Sequence, residues 1–175
     1  TLFPYTTLFR SEVINSWRSI LEKIDNQVIF TVSPVRHVRD GLVENNLNKS
    51  VLLLAIDQLC KEFPEKASYF PSYEILIDEL RDYRFYSKDW IHPSEEAKEF
   101  IWNKLSNIMF SEPTKKLNLE ISKIRLSLAH RPKFGINTEY LNFLNKTLQK
   151  VKEIKSSTPN YSWKEEEYNI NEIIN

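Results

Sequence analysis

The sequence predicts an α/β fold built on a parallel sheet, and two patterns indicate it. Residues 13–110 alternate in the order helix, strand, helix, strand, helix, which is expected where helical crossovers connect parallel strands. Residues 27–33 form a nearly continuous apolar run rich in β-branched side chains, typical of a strand buried on both faces of a sheet. Because ligands bind at the carboxyl ends of such strands, we expect a site at that edge.

The first elements follow from hydrophobic periodicity and from the residues that interrupt it. The first helix has one apolar face, formed by Val13, Trp17, Ile20, Leu21 and Ile24. The strand over 27–33 ends at Pro34, and a polar loop covers 35–48. The next helix, at about 49–63, is predicted to bury Leu52, Ala55, Ile56, Leu59, Cys60 and Phe63.

The second half of the α/β part ends in a packed helix. A short strand over 67–70 stops at Pro71, and a helical turn over 72–82 leads into an aromatic-rich loop. We expect Pro93 in the first turn of the following helix, where its missing N–H has no cost. One face of that helix is apolar, so the helix packs and holds the loop before it; the face consists of Ala97, Ile101, Leu105 and Ile108.

The composition excludes several classes of partner. The 175 residues include 24 basic and 24 acidic side chains, and this zero net charge predicts no binding to nucleic acid or to an anionic membrane surface. The longest apolar run, residues 51–56, is far too short to cross a membrane. Cys60 is the one cysteine, so an internal disulfide is impossible and a reducing, cytoplasmic compartment is predicted. We predict no cofactor.

The C-terminal third differs in character from the α/β part. Residues 112–155 predict a helical hairpin with two narrow apolar stripes, which offers a surface to the α/β part or to a second copy in an oligomer. The tail over 156–175 is polar and lacks sustained periodicity, so we expect it to be mobile, with Tyr161, Trp163 and Tyr168 as the side chains able to dock.

Residues 1–11 resemble the in-frame translation of a sequencing-library adaptor. We therefore expect them to be foreign to the protein, the alternative being a genuine strand over 1–9. On this interpretation the protein begins upstream, and residues 12–111 are the C-terminal part of a larger α/β domain. The sequence has only two glycines, Gly41 and Gly135, which is few for an enzyme whose loops approach a substrate. The shortage agrees with a missing segment.

An Asp and a His three residues apart are the strongest catalytic candidates. Asp89 and His92 lie in the aromatic-rich loop before the last α/β helix. Asp89 is suited to accept the Nδ1–H of His92, which fixes the tautomer and leaves Nε2 to take a proton from a hydroxyl nucleophile. The same spacing also suits an Asp that caps a turn and a His that covers a helix end, and spacing alone favours that interpretation. The surroundings of the pair favour the catalytic one.

The candidates for substrate binding are Ser33, which ends the first strand, and three residues of the loop that follows it. His37, with Arg36 and Arg39, is suited to an anionic or sugar substrate, and equally to a solvated loop with local ion pairs. Ser33 ends the strand before a loop, where a nucleophile could lie. No Gly-x-Ser-x-Gly turn surrounds it, so it is better explained as a hydroxyl that satisfies the backbone.

A metal site and an aromatic wall are further alternatives. His37, Asp89 and His92 would supply a two-His-one-carboxylate metal site, but no additional ligand cluster supports it, so we predict no metal. The four aromatic residues of the loop are expected to wall it and desolvate the His–Asp pair rather than to form a stacking platform for a sugar; they are Tyr83, Phe85, Tyr86 and Trp90.

Two segments resemble the GSCFA family, a bacterial group related to the SGNH (GDSL-like) hydrolases. One is Phe-Thr-Val-Ser-Pro-Val-Arg-His-Val-Arg-Asp-Gly at 30–41, and the other runs from Tyr-Phe-Pro-Ser-Tyr-Glu-Ile at 69–75 to Asp-Trp-Ile-His-Pro at 89–93. The Ala-His-Arg-Pro turn at 129–132 is similar to the family's C-terminal region. The resemblance covers most of residues 27–150.

The resemblance implies a three-layer α/β/α, flavodoxin-like fold and a serine ester hydrolase. The family's base block matches Asp89 and His92, but its Gly-Ser-Cys-Phe-Ala segment and any Gly-Asp-Ser are absent from these 175 residues. We therefore expect a C-terminal fragment that holds the base and lacks its serine. The substrate would be a small-molecule or carbohydrate ester. Transfer of an acyl group to a carbohydrate and a non-catalytic interaction module are the alternatives.

Overall fold

The structure is a computed structural model, and it describes residues 10–129, 132, 135–159 and 161–174. The chain divides into two compact units, one up to Met109 and one from Phe110 onward. None of the helices described is both long and apolar enough to cross a membrane.

The first unit confirms the predicted parallel strands. Helix α1 (Arg10–Leu21) precedes strand β1 (Val28–Phe30), and helix α2 (Leu42–Glu62) connects β1 to strand β2 (Ala67–Tyr69). The two strands pair in parallel, with Val28 opposite Ala67 and Phe30 opposite Tyr69. The described chain is therefore mostly helical with a small two-stranded sheet, which is compatible with the α/β class. The three-layer arrangement stays a prediction.

The remainder of the first unit leads from β2 to a long helix. Helix α3 (Ser72–Glu74) continues as a π-helical turn (Ile75–Leu80), which is followed by a 3-10 turn (Tyr83–Phe85). Helix α4 (Glu95–Met109) closes the unit. A small core joins these segments, because Leu76, Phe85 and Ala97 are buried against one another with Leu80 and Tyr86 beside them.

The main core lies on one side of the two strands. Phe30 is buried and meets the ring of Trp17 edge to face, with centroids 4.8 Å apart. Ile29, which alternates with it, is 45% exposed. The prediction of a strand buried on both faces is therefore wrong, because in the described part of the chain Phe30 is buried and Ile29, on the other face, is exposed. The core residues are Ile14, Leu21, Phe30, Val32, Ala55, Ile56, Leu59 and Ala67.

Helix α2 begins seven residues before the position that periodicity indicated. The loop predicted over 35–48 is a shorter segment with a 3-10 turn (Val38–Asp40), and the helix starts directly after Gly41. Gly41 has φ +86° and ψ 160°, a backbone region that is nearly exclusive to glycine. The first half of α2 has exposed Val43 and Leu47, so it shows no amphipathic pattern that would reveal it.

The second unit contains three helices in its described part. Helices α5 (Glu112–Ala129) and α6 (Thr138–Ser157) occupy the predicted hairpin, while His130 and Arg131 of the predicted turn lie outside the described residues. Helix α7 (Lys164–Ile174) was expected to be part of a mobile tail. The shared core of these helices is formed by Ile124, Tyr140, Leu144, Val151, Trp163 and Ile170.

The tail, whose mobility stays a prediction, packs through two buried side chains. Trp163 is 1% exposed, and its Nε1–H donates to Thr158 Oγ1 at 2.9 Å. Ile170 is fully buried. Glu166 accepts hydrogen bonds from Arg125 at 3.3 Å and from the Tyr161 hydroxyl at 2.9 Å. The tail appears polar in sequence because only one side of its helix is apolar and because its anchor, Trp163, precedes the helix.

We expect Trp163→Ala to lower the free energy of unfolding by about 3–5 kcal/mol, because it removes a fully buried ring and leaves a cavity in the α5–α7 core. Urea unfolding followed by circular dichroism measures this change. Tyr168→Ala is the matched control, since Tyr168 lies on α7 and is exposed, and its effect should stay within about 0.5 kcal/mol. Equal effects of the two variants would show that α7 does not pack as described.

Candidate active site

The segment Tyr86–Pro93, which we call the dyad loop, is a short closed loop. Its two ends, Tyr86 and Pro93, form an antiparallel bridge. The Ser87 N–H donates to the His92 carbonyl at 2.7 Å, and the Trp90 N–H donates to the Ser87 carbonyl at 2.9 Å. The backbone of the loop thus satisfies much of its own hydrogen bonding, which fixes Asp89 and His92 relative to each other.

The dyad loop is attached to a packed helix N-terminus, as the sequence predicts, but a different residue caps the helix. The Ser94 Oγ accepts from the Ala97 N–H at 3.2 Å, and the Ser94 carbonyl accepts from the Lys98 N–H at 3.0 Å. Ser94 is therefore the N-cap of α4, and Pro93 is buried just before it rather than in the first helical turn. Serine takes this position because its hydroxyl satisfies a helix N–H that has no partner within the helix.

Asp89 and His92 make the hydrogen bond that a catalytic pair requires. His92 Nδ1 lies 2.7 Å from Asp89 Oδ2. The other oxygen of Asp89, Oδ1, accepts from the N–H groups of Ile91 at 2.9 Å and His92 at 3.1 Å. The carboxylate thus binds the imidazole with one oxygen and the loop backbone with the other. In the described chain no hydrogen bond involves His92 Nε2, and 60% of the His92 side chain is exposed.

These contacts lower the pKa of Asp89 to about 2, first through the hydrogen bond from His92 and then through the N–H groups of Ile91 and His92. Asp89 is therefore ionised at neutral pH and can only accept hydrogen bonds, so the proton between the two side chains belongs to His92 Nδ1. In neutral His92 the lone pair is then on Nε2, the ring nitrogen that does not contact Asp89. The stabilisation from ionised Asp89 is present above its unfolded pKa and is lost as pH falls through about 2.

The aromatic residues around the loop do not desolvate the pair, contrary to expectation. Phe85 is buried in the small core, but Tyr83 and Trp90 are 65% and 63% exposed. The rings of Tyr83 and Trp90 lie 5.6 Å apart and form an exposed aromatic surface beside the dyad. Trp90 also has φ +59°, a conformation that is rare for a bulky side chain and clusters at functional sites.

Arg36 is the predicted site residue that the structure brings to the dyad loop. Its backbone N–H donates to the Ile91 carbonyl at 3.2 Å, and its Nη1 donates to the Trp90 carbonyl at 3.1 Å. Its guanidinium lies over the ring of Tyr86, 4.0 Å from the centroid. The loop after β1 and the dyad loop therefore meet, as expected for loops at one edge of a parallel sheet.

The other candidates of this segment make no described contact with Asp89 or His92. The Ser33 Oγ accepts from the Val35 N–H at 3.2 Å, a backbone contact of the predicted kind. The His37 and Arg39 side chains are exposed, and no hydrogen bond or ion pair in the described chain joins them to the dyad loop. Among the residues described, no group of three or more His, Cys, Asp and Glu side chains is placed to hold a metal ion. The roles of Ser33, His37 and Arg39 in substrate binding stay predictions.

Two buried residues of α2 support this segment, and the sequence did not reveal them. The Lys49 Nζ donates to the Ser33 carbonyl at 2.6 Å, and Asn45 Oδ1 accepts from the His37 N–H at 2.9 Å. Lys49 is 5% exposed and lies over the ring of Tyr73, and its burial lowers its pKa. The available signal was two polar residues four positions apart, one helical turn, within a stretch that was interpreted as loop and early helix.

Comparison with protein families decides the relationship of the chain. The model of the GSCFA family matches residues 1–105, and that of the GSCFA domain protein C-terminal domain matches residues 121–175. The chain belongs to the GSCFA family. No curated protein and no solved structure matches it. The match includes the first eleven residues, whose adaptor origin stays a prediction: residues 1–9 lie outside the described part, and Arg10 and Ser11 begin α1.

We expect NMR titration of the carboxyl carbon of Asp89 to give a pKa of about 2 in the 175-residue chain. In His92→Ala the pKa should rise, because the largest cause of its lowering is lost, yet stay below the ordinary value because two backbone N–H groups remain. His37→Ala is the control and should leave the pKa of Asp89 unchanged. An unaltered pKa in His92→Ala would show that the imidazole does not contact Asp89 in solution.

Proposed function

We propose that this chain supplies the acid–base half of a GSCFA-type serine ester hydrolase, related to the SGNH enzymes. The observation that supports the proposal most is the 2.7 Å contact between Asp89 Oδ2 and His92 Nδ1, in a His92 side chain that is 60% exposed. This is the arrangement in which a histidine acts as a general base and a carboxylate orients it. Membership of the GSCFA family agrees with it.

The reaction that fits this geometry is acyl transfer in two steps. His92 Nε2 removes the proton of a serine hydroxyl while that oxygen attacks the ester carbonyl, and the imidazolium is stabilised by Asp89. When the tetrahedral intermediate collapses, the C–O bond to the alcohol breaks and the imidazolium protonates the leaving oxygen. Water then repeats the sequence on the acyl-enzyme, which releases the acid and restores the serine.

The nucleophile in this proposal is a serine outside these 175 residues. The family's Gly-Ser-Cys-Phe-Ala segment is not in the sequence. Ser33 is a poor substitute, because its hydroxyl is bound to the Val35 N–H and no contact in the described chain joins it to His92. In this proposal the hydrogen-bond donors that stabilise the oxyanion also lie outside these 175 residues. We therefore expect the 175-residue chain alone to be nearly inactive.

We expect His92→Ala, in the gene product that includes the serine, to lower kcat for ester hydrolysis on the order of a thousand-fold or more. Asp89→Asn should also lower kcat strongly, because it removes the negative charge that stabilises the imidazolium. Lys61→Ala, an exposed change on α2, is the control. Activity retained by His92→Ala would end the assignment, and no reaction of the gene product with serine-directed probes would favour a non-catalytic interaction module.

The exposed aromatic surface of Tyr83 and Trp90 favours a carbohydrate ester as substrate. Sugar rings present C–H faces that pack on aromatic rings, and Trp90 is only two residues from His92. The same surface would serve an acyltransferase, in which a sugar hydroxyl replaces water as the acceptor. Transfer of an acetyl group to a sugar without net hydrolysis would distinguish this second function from the first.

We expect Trp90→Ala to raise KM for an acetylated oligosaccharide by up to about tenfold and to leave KM for ethyl acetate nearly unchanged, because ethyl acetate has no ring to pack on the indole. Steady-state kinetics with both esters on the serine-containing gene product measure the difference. Tyr168→Ala removes an equally exposed aromatic side chain of α7 and is the control. Equal effects of Trp90→Ala on both esters would exclude the sugar-binding role.

A further inference from the structure

We propose that Arg36 is a positioning residue, which holds the two peptide groups that bind Asp89 and thereby sets the orientation of His92. We call the contacts of Arg36 with these two peptide groups the Arg36 clamp. Its consequence for catalysis rests on the proposed hydrolase function, but the contacts themselves do not. Arg36 was predicted as a substrate-binding residue, and its contacts in the structure are with the dyad loop. The geometry supports the clamp in four steps.

The first step concerns the peptide group between Trp90 and Ile91. Its N–H, that of Ile91, donates to Asp89 Oδ1 at 2.9 Å, and its carbonyl, that of Trp90, accepts from Arg36 Nη1 at 3.1 Å. The guanidinium and the carboxylate therefore bind opposite ends of one rigid plane. A cationic donor on the carbonyl also polarises the peptide and strengthens its N–H as a donor to Asp89.

The second step concerns the next peptide group, between Ile91 and His92. Its N–H donates to Asp89 Oδ1 at 3.1 Å, and its carbonyl, that of Ile91, accepts from the Arg36 backbone N–H at 3.2 Å. Both peptide groups whose N–H binds Asp89 are thus held at their carbonyl by the same residue. Arg36 contacts neither Asp89 nor His92 through these bonds, so it acts on the pair through the backbone.

The third step is that Arg36 is itself fixed on both sides. Its guanidinium lies over Tyr86, 4.0 Å from the centroid, and 5.6 Å from that of Tyr83. The segment that carries it is held by α2, because Lys49 donates to the Ser33 carbonyl and Asn45 accepts from the His37 N–H. Both α2 residues are buried. A long helix therefore supports the clamp, which is the kind of support that a precise site needs.

The fourth step is the conformation of Trp90. Its φ of +59° is unfavourable for a bulky residue and persists only where neighbouring contacts enforce it. The Arg36 Nη1 bond to the Trp90 carbonyl is such a contact, together with the bond from the Trp90 N–H to Ser87. Loss of the guanidinium should release the Trp90–Ile91 peptide first, because the backbone N–H of residue 36 still binds the Ile91 carbonyl.

The test uses amide hydrogen exchange and NMR titration on the 175-residue chain with Arg36→Ala. We expect exchange of the Ile91 amide to accelerate by about tenfold or more, the effect of losing a charge-assisted hydrogen bond. The His92 amide should change less, since its peptide keeps the backbone contact of residue 36. The pKa of Asp89 should rise, because its backbone donors weaken.

Two further variants distinguish the loss of the Arg36 contacts from a general loss of positive charge and from a failure to fold. Arg84→Ala removes an equal charge from the neighbouring 3-10 turn, where Arg84 lies over Phe85 and near Asp82, and should change neither amide. Arg36→Lys keeps the charge but lacks the planar group that spans Tyr86 and the Trp90 carbonyl, so the Ile91 amide should still accelerate. If Arg36→Ala fails to fold by circular dichroism, Arg36→Lys decides alone. Exchange and Asp89 titration unchanged from the parent chain would overturn the proposal.

Kinetics of the serine-containing gene product distinguish positioning from substrate binding. A positioning role predicts that Arg36→Ala lowers kcat and leaves KM nearly unchanged, whereas a substrate-binding role predicts a raised KM with normal exchange at Ile91. The exchange experiment contains no ester, so its failure would leave the hydrolase proposal intact. Conversely, an unaffected rate in His92→Ala would remove the proposed function and leave the clamp standing.

Discussion

The carboxylate of Asp89 is the point on which the arrangement of the site depends. Three donors bind it, one from the imidazole and two from the backbone, and all lie within three residues of it in the chain. A turn so short has little hydrophobic surface of its own and depends on contacts from outside. The loop after β1, the N-cap of α4 and the small core around Phe85 supply these contacts. Contacts from these three parts of the first unit therefore hold one four-residue turn in one conformation.

The sequence predicted the contact between Asp89 and His92 better than the contacts that support it. These two residues could be paired because their spacing and aromatic surroundings are local in the chain. The meeting of Arg36 with the dyad loop was expected only in general terms, from the rule that loops at the carboxyl ends of parallel strands share an edge. The hydrogen bonds between Arg36 and the loop join residues 54 or more positions apart, and no local pattern encodes them.

Errors in the predicted elements have identifiable physical causes. Helix α2 was placed too late because its first turns expose Val43 and Leu47, and such a helix lacks the period that signals its start. Burial on both faces of β1 was inferred from its apolar composition, but composition does not reveal how many layers surround a strand. The helix of the C-terminal tail was missed because its anchor, Trp163, lies outside the periodic stretch and buries its ring through tertiary contacts alone.

The exposure of Asp89 and His92 defines what this chain would contribute to the proposed reaction. More than half of the His92 side chain and nearly half of the Asp89 side chain are exposed, so their attraction is screened by water. The hydrogen bonds of Asp89 already orient the His92 ring in the described chain. The exposure of the two side chains means that water is not excluded from them. In the proposed reaction the ester, the serine and its oxyanion donors would cover Nε2, exclude water and stabilise the oxyanion. The Arg36 clamp would hold His92 in its orientation, through the backbone, before these partners bind. Such preorganisation is useful because it does not depend on the substrate.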